Sequence, residues 1–502
     1  MTTAMAVLVD GDAADTALLA SVHPPAWINP TASGRYNLVV IGGGTAGLVC
    51  AVGAAGLGAR VALIERHRLG GDCLNVGCVP SKAVIRAARA AHDARTADAY
   101  GVRVGAVEVD FAAMMARMRR LRAGLAPHDS AARLVALGID VFLGDASFVG
   151  RDVVEVAGQR LRFARAVIAT GARAMVPAVP GLAAAGYHTN ETVFALTARP
   201  DRLAVLGGGP IGCELAQAFR RLGSEVVLVD RGERLLPRDD PDGSSLVRDQ
   251  LAAEGVDLML GATVLRVEPD RTLIVDRGRG QGEERVRCDQ LLVATGRAPN
   301  VEGLGLAAAG IVATTHGIEV DDHLRTTNRR VFAAGDVASR FQFTHAADAM
   351  ARIVIQNALF FGRKRVSALT MPWCTYTDPE VAHVGISVEA AARRADLVTL
   401  TVPLAEVDRA VLDGETGGFA RVHADRDGRI LGATLVSRHA GESIGEFALA
   451  MTHGLRLGAL ASTIHPYPTQ AEALKKLGDA YQRTRLTPRV RRMLGWLMRR
   501  RR

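Results

Sequence analysis

A glycine-rich turn between an apolar strand and a helix occurs twice in the 502 residues, and this repeat predicts an α/β protein with two Rossmann-like dinucleotide-binding domains. A later stretch of short alternating strands and helices predicts a third, α+β domain near the C-terminus. The chain is long enough for two or three domains with buried cores. Its 49% hydrophobic residues and 53 glycines fit a fold with many tight strand–helix turns.

The N-terminal residues 1–34 show no periodicity, and we expect an irregular extension there. Aspartates and no early basic residue argue against a signal peptide. No apolar run is long enough to span a membrane, and the six cysteines do not form a secreted disulfide framework. These features predict a cytoplasmic protein.

The first glycine-rich turn lies in residues 36–65, YNLVVIGGGTAGLVCAVGAAGLGARVALIE. Its strand enters a Gly-x-Gly-x-x-Gly pattern formed by Gly42, Gly44 and Gly47, and Glu65 ends the next strand. Such glycines let a backbone approach a pyrophosphate at a helix N-terminus, while the acidic residue accepts from a ribose hydroxyl. The pattern therefore predicts a first dinucleotide site.

The second turn follows the strand that begins at Leu203 and repeats the same spacing with Gly207, Gly209 and Gly212. Asp230 ends the next strand, where a carboxylate would accept from a free 2′-hydroxyl and repel a 2′-phosphate. This favours NADH over NADPH, although Arg231 and the nearby arginine at 234 could instead hold a phosphate. Two dinucleotide sites in one chain predict electron transfer between two cofactors.

Residues 70–82, GGDCLNVGCVPSK, place Cys73 and Cys78 five positions apart. On a regular helix the two thiols would face apart, so Gly77 and Pro80 predict a locally bent turn. A structural disulfide is disfavoured because so short a loop removes little entropy from the unfolded chain. Two thiols without a second pair are also a poor zinc site, and we predict no metal centre. A redox couple is the better interpretation.

This cysteine segment resembles the redox-active disulfide segment of the flavin-dependent pyridine nucleotide–disulfide oxidoreductases, which include dihydrolipoamide dehydrogenase, glutathione reductase and mercuric reductase. The resemblance covers roughly residues 36–482. It implies an enzyme that passes electrons from NAD(P)H through FAD to the disulfide and then to a small substrate. By position, Cys78 would face the flavin and Cys73 would meet the substrate. Lys82 would lie near the flavin with Glu214 as its ion-pair partner.

The same resemblance implies how FAD is held. The first turn would bind its ADP half, and Asp336, in TTNRRVFAAGDV, would bind the ribityl chain. The remaining candidate contacts lie at glycine-rich bends and at the ends of strands: Gly71, Ala146, Thr170, Gly171 and Gly296.

The implied domain organisation makes the FAD domain discontinuous, with a C-terminal domain through which the family forms homodimers. The boundaries are an N-terminal extension at 1–34, the FAD domain at 35–180 and 305–366, the NAD(P) domain at 181–304, the dimerisation domain at 367–482 and a basic tail at 483–502.

Residues 465–472, HPYPTQAE, depart from the pattern of the thiol-disulfide members, His-x-His-Pro-Thr-x-x-Glu. Tyr467 stands where their acid–base histidine lies, with Glu472 as the expected orienting residue. A phenol titrates near pH 10 and is a poor proton shuttle at neutral pH. Mercuric reductases place a tyrosine there, and His465 is either displaced into a catalytic role or a structural residue.

Mercuric reductases also normally end in a cysteine pair, whereas the last cysteine of this chain is Cys374. We therefore expect a mercuric-reductase-like enzyme that acts on a soft metal ion or a small electrophile. Two alternatives stay open: a dihydrolipoamide dehydrogenase-like disulfide reductase and a flavin redox sensor with little turnover.

The formal charge of +9 belongs to the C-terminal tail. Nine arginines and no acidic residue lie in residues 483–502, and without them the chain has 52 basic and 52 acidic residues. Residues 1–482 carry no formal net charge, and only 4% of the chain is aromatic. Both features argue against a nucleic-acid partner. Thr487 and Pro488 form a good helix start, and the following residues predict a basic amphipathic helix with weak contact to a membrane surface. A solvated, disordered tail fits equally well.

Overall fold

A computed structural model describes residues 8–501 of the chain apart from 279 and 281. Up to Arg231 its α-helices and strands are, in order, α1 (Ala13–Val22), β1 (Arg35–Ile41), α2 (Thr45–Gly56), β2 (Val61–Glu65), α3 (Gly71–Asn75), α4 (Cys78–Arg95), α5 (Phe111–Leu125), α6 (Ala131–Ala136), β3 (Ile139–Leu143), β4 (Ala146–Gly150), β5 (Val153–Val156), β6 (Gln159–Ile168), β7 (Ala172–Ala174), α7 (Leu182–Ala185), β8 (Arg202–Leu206), α8 (Pro210–Arg221) and β9 (Glu225–Asp230).

The middle of the chain continues with α9 (Pro241–Ala253), β10 (Val256–Leu260), β11 (Thr263–Val267), β12 (Thr272–Asp276), β13 (Glu283–Arg287), β14 (Gln290–Val293), β15 (Arg297–Pro299), α10 (Leu306–Ala309), β16 (Ala313–Thr314), β17 (Gly317–Ile318), β18 (Val331–Ala333) and α11 (Thr344–Leu359). The C-terminal part contains β19 (Pro372–Thr375), β20 (Glu380–Gly385), α12 (Val388–Ala392), β21 (Leu397–Pro403), α13 (Asp408–Leu412), β22 (Phe419–Asp425), β23 (Ile430–Ser437), α14 (Ala440–Thr452), α15 (Leu457–Ser462), α16 (Glu472–Thr484) and α17 (Pro488–Arg500).

These elements form two compact units. The first contains the residues up to Arg231 together with Val256–Leu369, and the second contains Gly232–Gly255 and the residues from Thr370 onward. No helix within the described ranges combines the length and the apolar character that crossing a membrane requires.

The main sheet of the first unit has the strand order β3-β2-β1-β6-β5-β4, and β18 pairs with β6 in parallel. Strands β1, β2, β3 and β6 pair in parallel, and their apolar residues are buried on both faces because helices cover a parallel sheet. Strand β18 lies far from its neighbour β6 in the sequence. The predicted α/β fold with a discontinuous flavin domain is confirmed.

A second parallel sheet of this unit has the order β10-β9-β8-β14 and carries the second glycine-rich turn between β8 and α8. The strands β11, β12 and β13 follow β10 in the sequence and form a small antiparallel sheet. The short strands β7 and β15 pair with each other. The predicted pair of Rossmann-like sheets is therefore present.

The second unit is built on the antiparallel sheet β19-β20-β23-β22-β21. Helices α14, α15 and α16 bury an apolar core against it that includes Phe447, Leu474 and Tyr481. This confirms the predicted C-terminal α+β domain. Helix α9 belongs to the same unit, where the Arg421 guanidinium bridges Asp240 at 2.7 Å and Asp242 at 2.6 Å.

The N-terminal extension differs from the prediction, because residues 13–22 form a helix rather than an irregular segment. Asp12 caps this helix by accepting from the amides of Ala14 and Asp15 at 2.9 and 3.0 Å. Buried charges then fix it to α5: Arg119 pairs with Asp12 at 2.8 Å and Arg122 with Asp15 at 2.5 Å. The helix was missed because its stability comes from these tertiary contacts and not from periodicity.

Candidate active site

The first glycine-rich turn brings the N-terminus of α2 against the end of β1. Gly42 has φ 107°, and a Cβ there would lie 2.3 Å from the carbonyl oxygen of Ala169. A Cβ on Gly47 would lie 1.8 Å from the Gly42 oxygen. Gly44 precedes α2 without any side-chain cap, so the first-turn amides of the helix are oriented to bind an anion.

The same turn is packed directly against the cysteine segment. A Cβ on Gly71 would lie 2.6 Å from the Cα of Gly44. Glu65, at the end of β2, accepts from the Gly43 amide at 2.6 Å and from the His67 amide at 2.7 Å, and burial raises the pKa of its carboxyl group. A side-chain-free backbone cradle, an uncapped helix N-terminus and a carboxylate at the strand end together fit the ADP half of FAD.

The second turn repeats this geometry. Gly207 has φ 113° and a Cβ there would lie 2.4 Å from the Ala294 oxygen, while a Cβ on Gly212 would lie 1.8 Å from the Gly207 oxygen. Gly209 precedes α8, and the Asp230 carboxylate at the end of β9 accepts from the Gly208 amide. The neighbouring Arg231 is exposed. The residues fit a second dinucleotide.

Thr170-Gly171 directly precedes β7 and Thr295-Gly296 directly precedes β15, and these two short strands pair with each other. The Thr170 hydroxyl donates to the Asn300 carbonyl at 2.7 Å, and Gly171 has φ 68°. Gly296, with φ 137°, accepts from the Met175 amide at 2.9 Å. Ala146, another of the candidate FAD contacts, is the first residue of β4 and is buried.

Asp336 lies just after β18 in a partly buried cluster of charges. Burial raises the pKa of its carboxyl group to about 6, and the Arg297 guanidinium, 3.5 Å away, acts in the opposite direction. Arg297 also forms an ion pair with Asp72 of the cysteine segment. The predicted ribityl contact is therefore connected through one arginine to the residue next to Cys73.

The bend predicted between the two cysteines is present. Helix α3 ends at Asn75 and α4 begins at Cys78, with Gly77 between them. A Cβ on Gly77 would lie 2.8 Å from the Asp72 carbonyl oxygen, so the tight turn requires glycine. It brings the free thiols of Cys73 and Cys78 into hydrogen-bonding contact, with Cys73 half-buried and Cys78 exposed.

The two thiols differ strongly in acidity. The hydrogen bond from Cys73 lowers the pKa of Cys78 to about 5, with further lowering by the Thr344 hydroxyl, 3.4 Å away, and by the charge of Lys82. Partial desolvation of the Cys78 thiol by its protein neighbours raises its pKa and so opposes this shift. The pKa of Cys73 is raised, first by that same hydrogen bond and then by burial. Near neutral pH the reduced pair is one thiol and one thiolate, with the negative charge on Cys78.

Lys82, one turn beyond Cys78 on α4, forms the ion pair that the resemblance implies. Its Nζ lies 2.8 Å from the Glu214 carboxylate on α8. The Glu214 side chain is 7% exposed, whereas that of Lys82 is 36% exposed. The pair places one cation and one anion near the thiolate, and their charges shift its pKa in opposite directions.

The three C-terminal candidates lie in the second unit. The Tyr467 hydroxyl donates to the Asp408 carboxylate at 2.9 Å, and this hydrogen bond raises the pKa of the phenol. His465 pairs with Glu446, its Nε2 lying 3.1 Å from Oε1. Glu472 begins α16 and lies 3.8 Å from Lys476. The histidine is therefore paired with a glutamate from α14 and not with Glu472.

Sequence reasoning missed two contacts of the cysteine segment. Thr344, at the start of α11, lies 266 positions beyond Cys78, and no local pattern marks it. Arg122 connects the N-terminal helix to the same segment by pairing with Asp15 and donating to the Asn75 carbonyl at 2.8 Å. A basic residue on the apolar face of α5 was the only signal available for the second contact.

The fold and this thiol pair define a flavin-dependent disulfide oxidoreductase. Residues 36–351 match the pyridine nucleotide-disulphide oxidoreductase family model, and residues 371–477 match the model for the dimerisation domain of that family. The chain belongs to the class I pyridine nucleotide–disulfide oxidoreductases, which use FAD and NAD(P)H, and its dimerisation domain supports a homodimer.

Its relatives have more than one activity. The chain is 37% identical over 452 residues to a mercuric reductase of Bacillus cereus, a match that covers 89% of this chain and 72% of the relative. It is 37% identical over 459 residues to a dihydrolipoyl dehydrogenase of Pseudomonas aeruginosa, covering 88% and 96%. The solved HOCl-induced flavoprotein disulfide reductase RclA from Escherichia coli is 30% identical with a TM-score of 0.78, covering 88% and 99%. The chain is an NAD(P)H-dependent oxidoreductase of this family.

Proposed function

We propose that this enzyme passes electrons from NAD(P)H to the Cys73–Cys78 pair and then to a soft metal ion or a small electrophile, as a mercuric reductase does. The observation that carries the proposal is the pair of free thiols that the bend at Gly77 brings together, with the Thr344 hydroxyl 3.4 Å from Cys78 and the Lys82–Glu214 ion pair one helical turn away. Bound FAD would supply the two-electron relay between the nicotinamide and the disulfide. The residues described above would hold its ADP half at the first glycine turn and its ribityl chain at Asp336.

The thiol chemistry follows from the acidities of the two cysteines. Two electrons break the Sγ–Sγ bond, and one proton goes to Cys73, whose raised pKa keeps it protonated. Cys78 keeps the negative charge, stabilised by its hydrogen-bond donors and by Lys82. We propose Cys73 as the thiol that meets the substrate and the Lys82–Glu214 pair as the element that sets the charge near the thiolate.

The substrate class rests on Tyr467. Its proton is held by Asp408 and its pKa is raised, so it does not shuttle protons at neutral pH as a disulfide reductase requires. Thiolates prefer soft metal ions, and these need no acid–base partner to bind sulfur. We infer that Hg(II) or a chemically similar soft ion is a better substrate than lipoamide, and that Asp230 favours NADH.

A substrate panel on the purified holoenzyme tests this proposal. We expect reduction of a Hg(II)–thiol complex with NADH to exceed reduction of lipoamide by at least about tenfold, a difference in transition-state stabilisation of about 1.4 kcal/mol. Tyr467→His should increase lipoamide turnover, whereas the control Tyr467→Phe should not. Equal or faster lipoamide reduction by the unmodified enzyme would refute the assignment.

A dihydrolipoamide dehydrogenase-like activity is the second candidate, because His465 and Glu446 form the histidine–carboxylate pair that acid–base catalysis needs. In that case His465→Gln would abolish lipoamide reduction and leave soft-metal reduction unchanged. A low-turnover redox sensor is separated from both by anaerobic titration with NADH, since slow and incomplete bleaching of the flavin absorbance would favour it.

A further inference from the structure

Among the residues that the structure describes, no element covers the apolar face of the C-terminal helix α17. Residues 490, 493, 494, 497 and 498 follow the spacing of one helical face, and the face consists of Val490, Met493, Leu494, Leu497 and Met498. The side chains of Met493 and Met498 are each 54% exposed, and no residue of the helix is buried. A large apolar face without a covering element marks an interaction surface.

The opposite side of the same helix is basic. Arginines at 489, 491, 492, 499 and 500 occupy the rest of the circumference, and acidic residues are absent from the whole of 483–502. Trp496, 46% exposed, lies on this basic side, with the Arg500 guanidinium 3.9 Å from its ring centre. Long arginine side chains can keep their charge in water while their stems cover apolar surface.

The first turn of the helix is capped. Thr487 caps it by accepting from the Val490 amide at 3.3 Å, and Pro488 occupies the first turn. Its 13 residues correspond to about 20 Å, which is too short to cross a bilayer and long enough to lie along a surface. The helix also lies beyond residue 477, where the match to the dimerisation domain ends.

We propose that α17 binds the surface of an anionic lipid bilayer, with its apolar face among the acyl chains and its arginines at the headgroups. Charge complementarity selects this partner, because the positive charge of the chain is concentrated in this segment. A nucleic acid would pair with the arginines but leave the exposed leucine and methionine side chains in water. A homodimer would present two such helices, so the second would bind at a high effective concentration.

Vesicle sedimentation of the full-length holoenzyme tests the proposal. We expect binding to vesicles of 70% phosphatidylcholine and 30% phosphatidylglycerol, at least about tenfold weaker binding to pure phosphatidylcholine, and loss of binding at high salt. A chain ending at Leu486 should bind at least about tenfold more weakly. Equal binding of the truncated and full-length proteins would overturn the proposal.

Two further variants separate the apolar face from the charge. Leu494→Asp with Leu497→Asp should abolish vesicle binding while heparin binding is reduced far less. If the Leu494→Asp, Leu497→Asp double variant and the unmodified protein bind vesicles equally, the tail is only a polyanion-binding segment and the proposal is wrong. A blue shift of tryptophan fluorescence on vesicles that is lost in Trp496→Phe supports insertion, and its absence contradicts it.

The same variants test whether a second copy of the chain, and not a membrane, covers α17. Their NAD(P)H-dependent activity and their sedimentation as dimers should match those of the unmodified protein. If truncation at Leu486 converts the dimer into a monomer, α17 covers a subunit interface and the membrane assignment fails.

Discussion

Removing the Thr344 hydroxyl should make the Cys78 thiol less acidic. Thr344→Val keeps the shape of the side chain and deletes the group 3.4 Å from Cys78 Sγ. A hydrogen bond to a charged group contributes about 1.5–3 kcal/mol, and one pKa unit corresponds to about 1.4 kcal/mol. The pKa of Cys78, about 5 in the unmodified protein, should therefore rise by about one to two units.

The assay is the pH dependence of iodoacetamide alkylation of the reduced holoenzyme, with modified cysteines mapped by mass spectrometry. At pH 6 a pKa of about 5 leaves about 90% of the Cys78 population as thiolate, and a rise of one to two units lowers this to about 50–10%. The rate at pH 6 should fall in the same proportion.

Thr344→Ser is the matched control because it keeps the hydroxyl, and its alkylation profile should follow that of the unmodified protein. If the profile of Thr344→Val coincides with both, the hydroxyl does not stabilise the thiolate and the reasoning is refuted. A midpoint near the ordinary thiol pKa in the unmodified protein would refute the asymmetric pair itself.

For three other perturbations the structure fixes the direction in which a pKa or the free energy of unfolding should change. Lys82→Gln should raise the pKa of the same thiol and Glu214→Gln should lower it, since the two charges act in opposite directions in the alkylation assay. Burial lowers the pKa of His423 to about 4, so between pH 6.5 and 4 the unfolded chain binds a proton that the folded chain does not, and about 3 kcal/mol of stability should be lost as the pH falls through this range. Asp15→Asn should cost about 3–5 kcal/mol in urea unfolding because it leaves the fully buried Arg122 guanidinium without its carboxylate.

Each of these three predictions has a control variant or an outcome that would contradict it. Shifts of the same sign in both charge variants would contradict the assigned electrostatics. His423→Gln should flatten the pH dependence of thermal unfolding, and an unchanged slope would exclude that histidine as its source. Replacing Arg122 by methionine in the Asp15→Asn background should recover part of the lost stability, since an apolar side chain removes the buried charge.

Much of the site was predictable because its motifs are local. One steric requirement of each glycine turn involves residues close in sequence, since Gly47 packs against Gly42 and Gly212 against Gly207. The bend at Gly77 is equally local, since the conflict is with the Asp72 carbonyl five residues earlier. Short-range steric rules of this kind are readable directly from residue types and spacing.

The N-terminal extension shows the opposite case. Residues 13–22 carry no strong helical pattern, and the helix depends on Asp12 and Asp15 reaching arginines more than 100 positions away. Buried ion pairs form only when the rest of the fold has brought the partners together, so they leave no periodic trace in the sequence.

The sequence alone determined the α/β class, the two dinucleotide turns, the position of the thiol pair and the start of the terminal helix, because each depends on backbone sterics or on patterns within a few residues. Only the tertiary structure decided which thiol carries the charge. That choice depends on the Thr344 hydroxyl, on the Lys82–Glu214 pair and on the hydrogen bond between the thiols. Electrostatic effects act through space over a few ångströms, and the groups that exert them come from distant parts of the chain.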